Sequence, residues 1–527
     1  MSLLLFGTAN RIVVGDGPAS FETVAAVYRT WETPSDDTAR FTLPLAPNNS
    51  YTTDDVALFK DGVEVPIYIE ELRGRHNDGS GGDGGARAFF VECDATGWTD
   101  TDVLEWRLGT TRTTTDLSAS GRGASEITQA QMRNPRAVLI TDPAYLCASW
   151  LTQQPLLPAS QQTADETAFF DTLHDDSVET WVDVRWAQYN PVDGTIDPRW
   201  NLDATAGYQV TRGYLSKWCR TGETEYWWRG IRHAEASFSG YSANTVPAEQ
   251  WSMMYFDWPI TYAASGYEAM WFICGATTVA SGGAAEGEAL WSSDEATSKS
   301  KHISPSYGIR YNTRQKYAAL QAACFDIKRT ALSRQPTFAT EMPWMIDSFE
   351  GTAFTRGDLA CLAGLIGMDE NATLEDPTAF PIFQISVINA WLMDYYHNVE
   401  ADARIPGLVK DNLDVLLGQM DDFSGRKGTA YLWGCPKNAA TGSQLLPMFA
   451  AQAAWVSALY DTVGNTTYAD LYSDCINASN VSVANDIQYN ATKLYGEVWG
   501  WSQSAPYYRA NGAAAAPSAI REPATYP

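Results

Sequence analysis

Histidine is scarce in this chain, five residues in 527. Positive charge is short as well: 36 Lys and Arg stand against 63 Asp and Glu, a formal net charge of −27. Such a surface repels DNA, RNA and anionic membranes, so nucleic-acid and membrane partners are set aside from the start. An acidic substrate would need a local basic site held against the global field. No apolar run is long enough to span a bilayer. The eight cysteines form no CxxC pair. Cys219, Cys324 and Cys475 lie in apolar, helix-like runs and read as buried thiols, not as zinc ligands or a small disulfide scaffold. HExxH, a Ser nucleophile elbow, a P-loop and Cys/His metal spacing are all missing, which removes the common hydrolase and NTPase readings and leaves no metal site among them. MSLLLFGTANR has an apolar run too short for a secretory h-region and no basic n-region. The expectation is a cytoplasmic protein, or one that leaves its cell by another route, such as inside a virion.

What the chain has is apolar and aromatic. Apolar residues are 45% of the sequence, enough for a large core, and the length suits two domains. The 20 Trp, 26 Tyr and 19 Phe fit aromatic helix packing, and equally a cleft in which sugar rings stack on π-faces.

Residues 1–125 read as a β domain. RIVV (11–14), VAAVYRTW (24–31), DVALFK (55–60), EVPIYIEEL (64–72), RAFFVEC (87–93) and VLEWRL (103–108) are short, β-branched or aromatic, and separated by turn signals. Asp61-Gly62 predicts a type I′ hairpin turn, because both central positions need positive φ. A sandwich or small barrel follows. The polar stretch TTRTTTDLSASGRGAS (110–125) marks the boundary.

Residues 126–527 turn helical from about 160. Val409, Leu413, Leu416 and Met420 recur on one helical face. Segments 205–220, 224–237, 309–331, 378–398, 443–463, 467–479 and 486–500 read likewise. YLSKWCRTGETEYWWRGIRHAEA (214–236) and VSALYDTVGNTTYADLYSDCINA (456–478) share one shape, an aromatic helix, a Gly-containing turn and a second helix. Gly222 and Gly464 fit a helix C′ position, and Thr224 or Thr466 can cap the helix that follows. Repeated hairpins build solenoids or closed α/α toroids; irregular spacing favours a toroid with long loops. The longest loop, 239–305, is longer than a connection needs, which marks it as functional.

The β-domain stretch VALFKDGVEVPIYIEELRGRHNDGSGGDGGARAFFVECD, followed by toroid-like hairpins, resembles the exo-rhamnogalacturonan-lyase-like proteins. The helical hairpins are generically similar to those of polysaccharide lyases and some glycoside hydrolases, and two-domain chains of this kind occur among tailed-phage virion proteins. The resemblance implies a β-barrel or sandwich joined to an α/α toroid. It also implies a polysaccharide or surface glycan as partner, with other virion proteins or a second copy of the chain as further partners.

GSGGDG (79–84) satisfies G-x-G-x-x-G but precedes a strand, and Asp78 and Asp83 would repel a pyrophosphate, so it reads as an inter-strand loop. Those two carboxylates leave a weak calcium site as the one cofactor expectation; otherwise none is implied.

The best candidate site is KHISPSYGIRYNTRQKY (301–317). Ser304 and Pro305 read as N-cap and N1 of a helix. Tyr307, Arg310, Tyr311 and Arg314 then share one face, with His302 just before it, while Tyr317, Leu320, Cys324 and Ile327 form a separate apolar face. β-Elimination from a uronate needs a base for the C5 proton, an acid for the leaving oxygen and cations to neutralise the carboxylate. His302, Tyr307, Arg310 and Tyr311 supply those roles, with Arg314 as a binding group. An Arg neighbour lowers a Tyr pKa and so favours Tyr as base. The bland account is a solvated helix face.

Two further groups stand behind it. In EYWWRGIRHAEA (225–236), Arg229 and His233 are i, i+4 and could reach a cleft, although Glu225–Arg229 is a plain helix ion pair. Asp257, Glu341, Asp347 and Glu350 sit beside aromatics and would serve a glycoside hydrolase as acid and base. Trp258 and Trp344 would be stacking platforms. His174 (LHDD), His76 and His397 (YYHN) carry no supporting context beyond nearby charge or aromatics. The readings are therefore a lyase on an acidic glycan, a hydrolase on the same toroid, and a non-catalytic tail or receptor-binding protein.

Overall fold

The computed structural model describes residues 22–31, 36–47, 49–71, 75–77, 83–114, 135–152, 154–172, 210–231, 403–418, 420–422, 427–428, 446–482, 502–512, 520–521 and some isolated positions. These residues form antiparallel sheets and helices.

The first sheet orders its strands β10-β1-β9-β3-β4. They are β1 (Glu22–Thr30), β3 (Val56–Lys60), β4 (Val63–Val65), β9 (Leu104–Leu108) and β10 (Arg136–Ile140). The second sheet is β2-β8-β5, from β2 (Thr38–Pro44), β5 (Tyr68–Glu71) and β8 (Ala88–Asp94). The expected hairpin is present. Asp61 and Gly62 have φ of 51° and 80°, and Lys60 faces Val63 across a two-residue loop. EVPIYIEEL does not form one strand. Pro66 has no N–H for a ladder, and the chain changes sheet there, from β4 to β5. RIVV lies outside the described residues. TARFTLP and RAVLI also form strands, which local turn signals do not mark, and the latter brings chain beyond residue 125 into the first sheet.

Both sheets bury aromatic and β-branched faces in one core. Phe41 of β2 meets Trp106 of β9 edge to face at 5.8 Å. Because β8 is central and buried along nearly its whole length, AFFVEC reads as a continuous apolar run and not as an alternating one. A third small sheet joins β6 (Arg75–Asn77) to β7 (Asp83–Ala86) and, from the other end of the chain, β13 (Ile520–Arg521), while β11 (Asp421–Asp422) pairs with β12 (Lys427–Gly428).

The first helices complete this core. In α1 (Pro143–Ala148), Asp142 caps the start by accepting from Ala144 N, and Pro143 opens the helix. Next come α2 (Ala164–Thr167), continued by a π-type turn over Ala168–Thr172, then α3 (Val210–Thr221) and α4 (224–231). Leu146, Cys147, Leu215, Trp218 and Trp227 pack into the same cluster as the sheet residues. Trp218 Nε1 donates to Ile140 O at 3.2 Å.

Later in the chain the described residues form α5 (Ile405–Leu417), α6 (Ala450–Tyr460), α7 (Thr467–Ser482) and α8 (Ala505–Asn511), with helical residues at 386, 389–390, 392–393 and 396–397. Val409, Leu413 and Leu416 are fully buried, as their spacing predicts, while Met420 falls beyond the end of α5. α6 packs against α5, α7 and α8, and α7 reaches back to α2. A buried amide ladder crosses this group. Asn412 donates to Asn389, Asn389 to Gln452, and Gln452 to Ser386, at 2.7, 3.0 and 2.8 Å.

The two hairpins differ in their turns. Gly222 is a true C′ residue, at φ 76°, with its N–H on Trp218 O at 2.7 Å. Gly464, at φ 95°, instead sits inside a tight turn in which Thr462 and Asn465 exchange backbone hydrogen bonds. Thr224 is already helical. The start of α7 is capped from the preceding helix, since Asp461 accepts from Tyr468 N and Ala469 N at 3.3 and 2.8 Å. Segments 309–331 and 486–500 lie outside the described residues. Among the described residues, no helix is long and apolar enough to cross a membrane.

Candidate functional site

His302, Tyr307, Arg310, Tyr311 and Arg314 lie outside the described residues, as do His233, Asp257, Trp258, Glu341, Trp344, Asp347, Glu350 and the loop 239–305. Asp78 is also outside them, and Asp83 lies in β7. Among the described residues no group of three or more His, Cys, Asp or Glu side chains is placed to hold a metal ion. Of the sequence-predicted site, the structure places Arg229. It belongs to α4, donates from Nε to Glu225 at 3.2 Å and is largely buried. Its neighbour Trp228 stacks parallel to Trp31 with ring centroids 6.1 Å apart, and Trp31 also stacks on Trp227 at 5.4 Å. This arrangement locks α4 to the end of β1. It gives Arg229 a packed setting beside stacked tryptophans.

Two polar clusters emerge that spacing along the chain does not show. The first centres on Glu166, 1% exposed. Thr163 and Glu166 form a capping box at the start of α2. The same carboxylate accepts from Tyr472 of α7 at 2.5 Å and from Arg509 of α8 through both oxygens, at 2.5 and 2.9 Å. Burial alone would raise the Glu166 pKa. The bonds from Arg509, Tyr472 and Thr163 N outweigh burial and hold it below the usual range. Burial, then the Glu166 carboxylate, drives the Tyr472 phenol far above its ordinary value. A saturated carboxylate and a phenol that keeps its proton are poor proton-transfer groups at neutral pH. They form a clasp between helices some 300 residues apart in sequence.

The second cluster lies one residue away. His397 Nε2 is 2.8 Å from the Tyr508 hydroxyl, and the two rings stack at 5.6 Å. Trp455, Tyr396 and Trp150 meet the imidazole edge-on at 5.6, 5.3 and 6.2 Å. His397 and Tyr508 are 2% and 1% exposed, so a polymeric substrate has no direct approach to either. The sequence signals were faint: the TADE capping box, the aromatic run around YYHN, and the Ser-x-Pro helix start of SAPYYRAN.

A run of polar contacts ties the β module to these helices. Arg87 Nη2 reaches the carbonyls of Trp150 and Leu151, Arg212 Nε that of Thr152, and Gln154 donates to Ser216 Oγ. Arg220 donates to Gln162, closing the series at the end of α3. Each cation thus fixes part of the 150–162 segment, Arg87 from the bend before β8 and Arg212 and Arg220 from α3.

No family model matches the chain, and neither does any curated protein or solved structure.

Proposed function

We propose that this protein is a carbohydrate-active enzyme, a polysaccharide lyase that cleaves an acidic glycan by β-elimination and is carried on a virion. The observation behind this reading is the helical wheel of 301–317. It puts Tyr307, Arg310, Tyr311 and Arg314 on one face, with His302 just before it. In a chain of charge −27, a concentrated pair of arginines is what a uronate carboxylate requires. Tyr307 or Tyr311 takes the C5 proton, His302 or the other Tyr protonates the leaving oxygen, and Arg310 and Arg314 hold the carboxylate. The scaffold in this proposal is a β-sandwich joined to an α/α toroid. The clasp supports the ring form: Glu166, early in the helical part, is bonded by Tyr472 and Arg509, late in it. Such a contact between the ends is what a closed circle of hairpins needs and an open solenoid lacks.

The test is absorbance near ~235 nm, where unsaturated uronates absorb, over a panel of uronate polysaccharides. The lyase reading expects an increase on at least one substrate, abolished in Tyr307→Phe or Tyr311→Phe with folding unchanged. New reducing ends without that absorbance would overturn it in favour of a hydrolase using Asp257, Glu341, Asp347 or Glu350. Full activity in both Tyr variants would overturn the residue assignment.

One observation favours a second reading, a non-catalytic tail or receptor-binding protein that binds glycan or builds structure. That observation is the net charge of −27, which repels an acidic glycan and fits a structural component at least as well. Absence of both product signals, with retained binding to a glycan column, is the outcome this reading expects.

A further inference from the structure

We propose that Cys147 and Cys219 are a disulfide-forming pair that pins α1 to the end of α3 when the chain folds in the presence of an oxidant. The residues lie in the core shared by the β module and the first helices, and both are buried. Cys147 Sγ donates to the backbone carbonyl of Cys219 at 3.4 Å. That carbonyl belongs to the last turn of α3, where intrahelical donors run out and a side-chain donor is wanted. The Cys219 thiol is a few bonds from the oxygen that Cys147 already touches, and Cys147 is near enough to help raise it. The helices α1 and α3 pack directly together, as a disulfide's short span between backbones demands.

The chemistry balances with a small-molecule disulfide as oxidant. The thiolate of one cysteine attacks a sulfur of that disulfide, forming a mixed disulfide and releasing one small thiolate. The second cysteine's thiolate then attacks the protein sulfur of the mixed disulfide. The Cys147–Cys219 bond forms and the second small thiolate leaves. The two protons lost by the cysteines end on the two small thiols; the protein gives up two electrons and the small disulfide gains them. In the finished fold this is slow, because burial pushes the Cys147 thiol up to about 12 and Cys219 well above its ordinary value. Closure therefore belongs to folding, before the core seals. Cys93, the third described thiol of this core, lies on β8, where burial and then Asp94 and Glu92 raise it.

The test is to produce the full chain in cells with an oxidising cytoplasm, and in parallel in an ordinary reducing one. Thiols are alkylated during denaturation, and the unreduced protein is digested and weighed. The expected result in the oxidising cells is one linked peptide pair carrying Cys147 and Cys219, lighter by two hydrogens than the sum of its parts. It should be absent from the reducing cells and from Cys147→Ser. That variant keeps a hydrogen-bond donor and should fold normally. Recovery of both cysteines alkylated from the oxidising cells, or of either joined to a different cysteine, would overturn the proposal. If the linkage forms, the linked protein melts higher than the reduced one, because the bond closes a loop of 72 residues in the unfolded chain.

Discussion

At Gly222 a single hydrogen atom decides whether a turn can close. Its φ is 76°, and a Cβ placed there would lie 2.1 Å from the carbonyl oxygen of Thr141. The left-handed backbone costs an L-residue about 1 kcal/mol. Displacing a backbone carbonyl adds to that, so Gly222→Ala should destabilise by more than about 2 kcal/mol. Gly464 has positive φ but open space around its Cβ position. Gly464→Ala should therefore cost only the backbone share, about 1 kcal/mol. Urea midpoints of the two variants test the contrast, and equal losses would refute it. Glu166 makes a prediction in pH. Its folded pKa is depressed, so its contribution is present above the unfolded value of about 4.3 and lost as pH falls through the lower folded value. Tyr472 is raised, so its contribution is present below about pH 10 and lost as pH rises beyond it. Glu166→Gln should cost about 2–3 kcal/mol at neutral pH. The gap from the native protein should narrow toward low pH, and a gap constant from pH 7 to 3 would sink the assignment.

Among the elements, α7 shows how far local sequence reaches. Its start was legible as a Gly-polar-Thr turn before an aromatic helix, and the helix is there. The capping residue was not legible, because Asp461 acts from the end of the previous helix through a folded-back turn. Asp461→Ala should cost about 1–2 kcal/mol, the ordinary worth of an N-cap. Thr466→Ala, whose hydroxyl donates to exposed Asp470 at 3.1 Å, should cost a few tenths. Chemical denaturation of both separates the two caps, and a larger loss at Thr466 would reverse the assignment. The same division holds elsewhere. Asp61-Gly62 encodes its turn in two adjacent residues and was readable. Pro66 carried the strand break in plain sight, but which sheet the chain joins afterwards depends on pairing with distant β8. RAVLI hides behind a polar stretch that reads as a boundary, and its partner is β1, over 100 residues earlier. Of the candidate site, Arg229 was readable as an i, i+4 pair with Glu225, while its packing beside stacked tryptophans was not. The His397 and Glu166 clusters were hidden for one reason: their members meet only when residues hundreds apart in sequence come together.

On the scale of the whole molecule, described residues late in the chain return to its beginning. The Glu166–Tyr472–Arg509 clasp joins α2 to α7 and α8, and β13 pairs with β6 of the β module. α8 also supplies Tyr508 to the imidazole of His397. A chain stopped after residue 503 would lose Arg509, Tyr508 and β13 together. Glu166 would remain buried beside Tyr472 with its cation gone, and an ion pair broken from one side costs about 3–5 kcal/mol when buried, less where the lost partner is part-exposed as Arg509 is. His397 and Trp455 would lose a covering ring worth about 2 kcal/mol of burial. Together these exceed what a marginally stable fold tolerates locally. The truncated protein should therefore lose amide-exchange protection at Phe169, Phe170 and along α7, while β1, β3 and β9 keep theirs, since their core is the shared cluster around Trp106 and Trp218. Arg509→Ala in the full chain should produce the same pattern more weakly. Exchange measured by peptide mapping decides it. Protection lost evenly across β module and helices would mean that the two ends of the chain stabilise one indivisible unit. Protection unchanged at Phe169 would mean that the clasp is dispensable for the helices it joins.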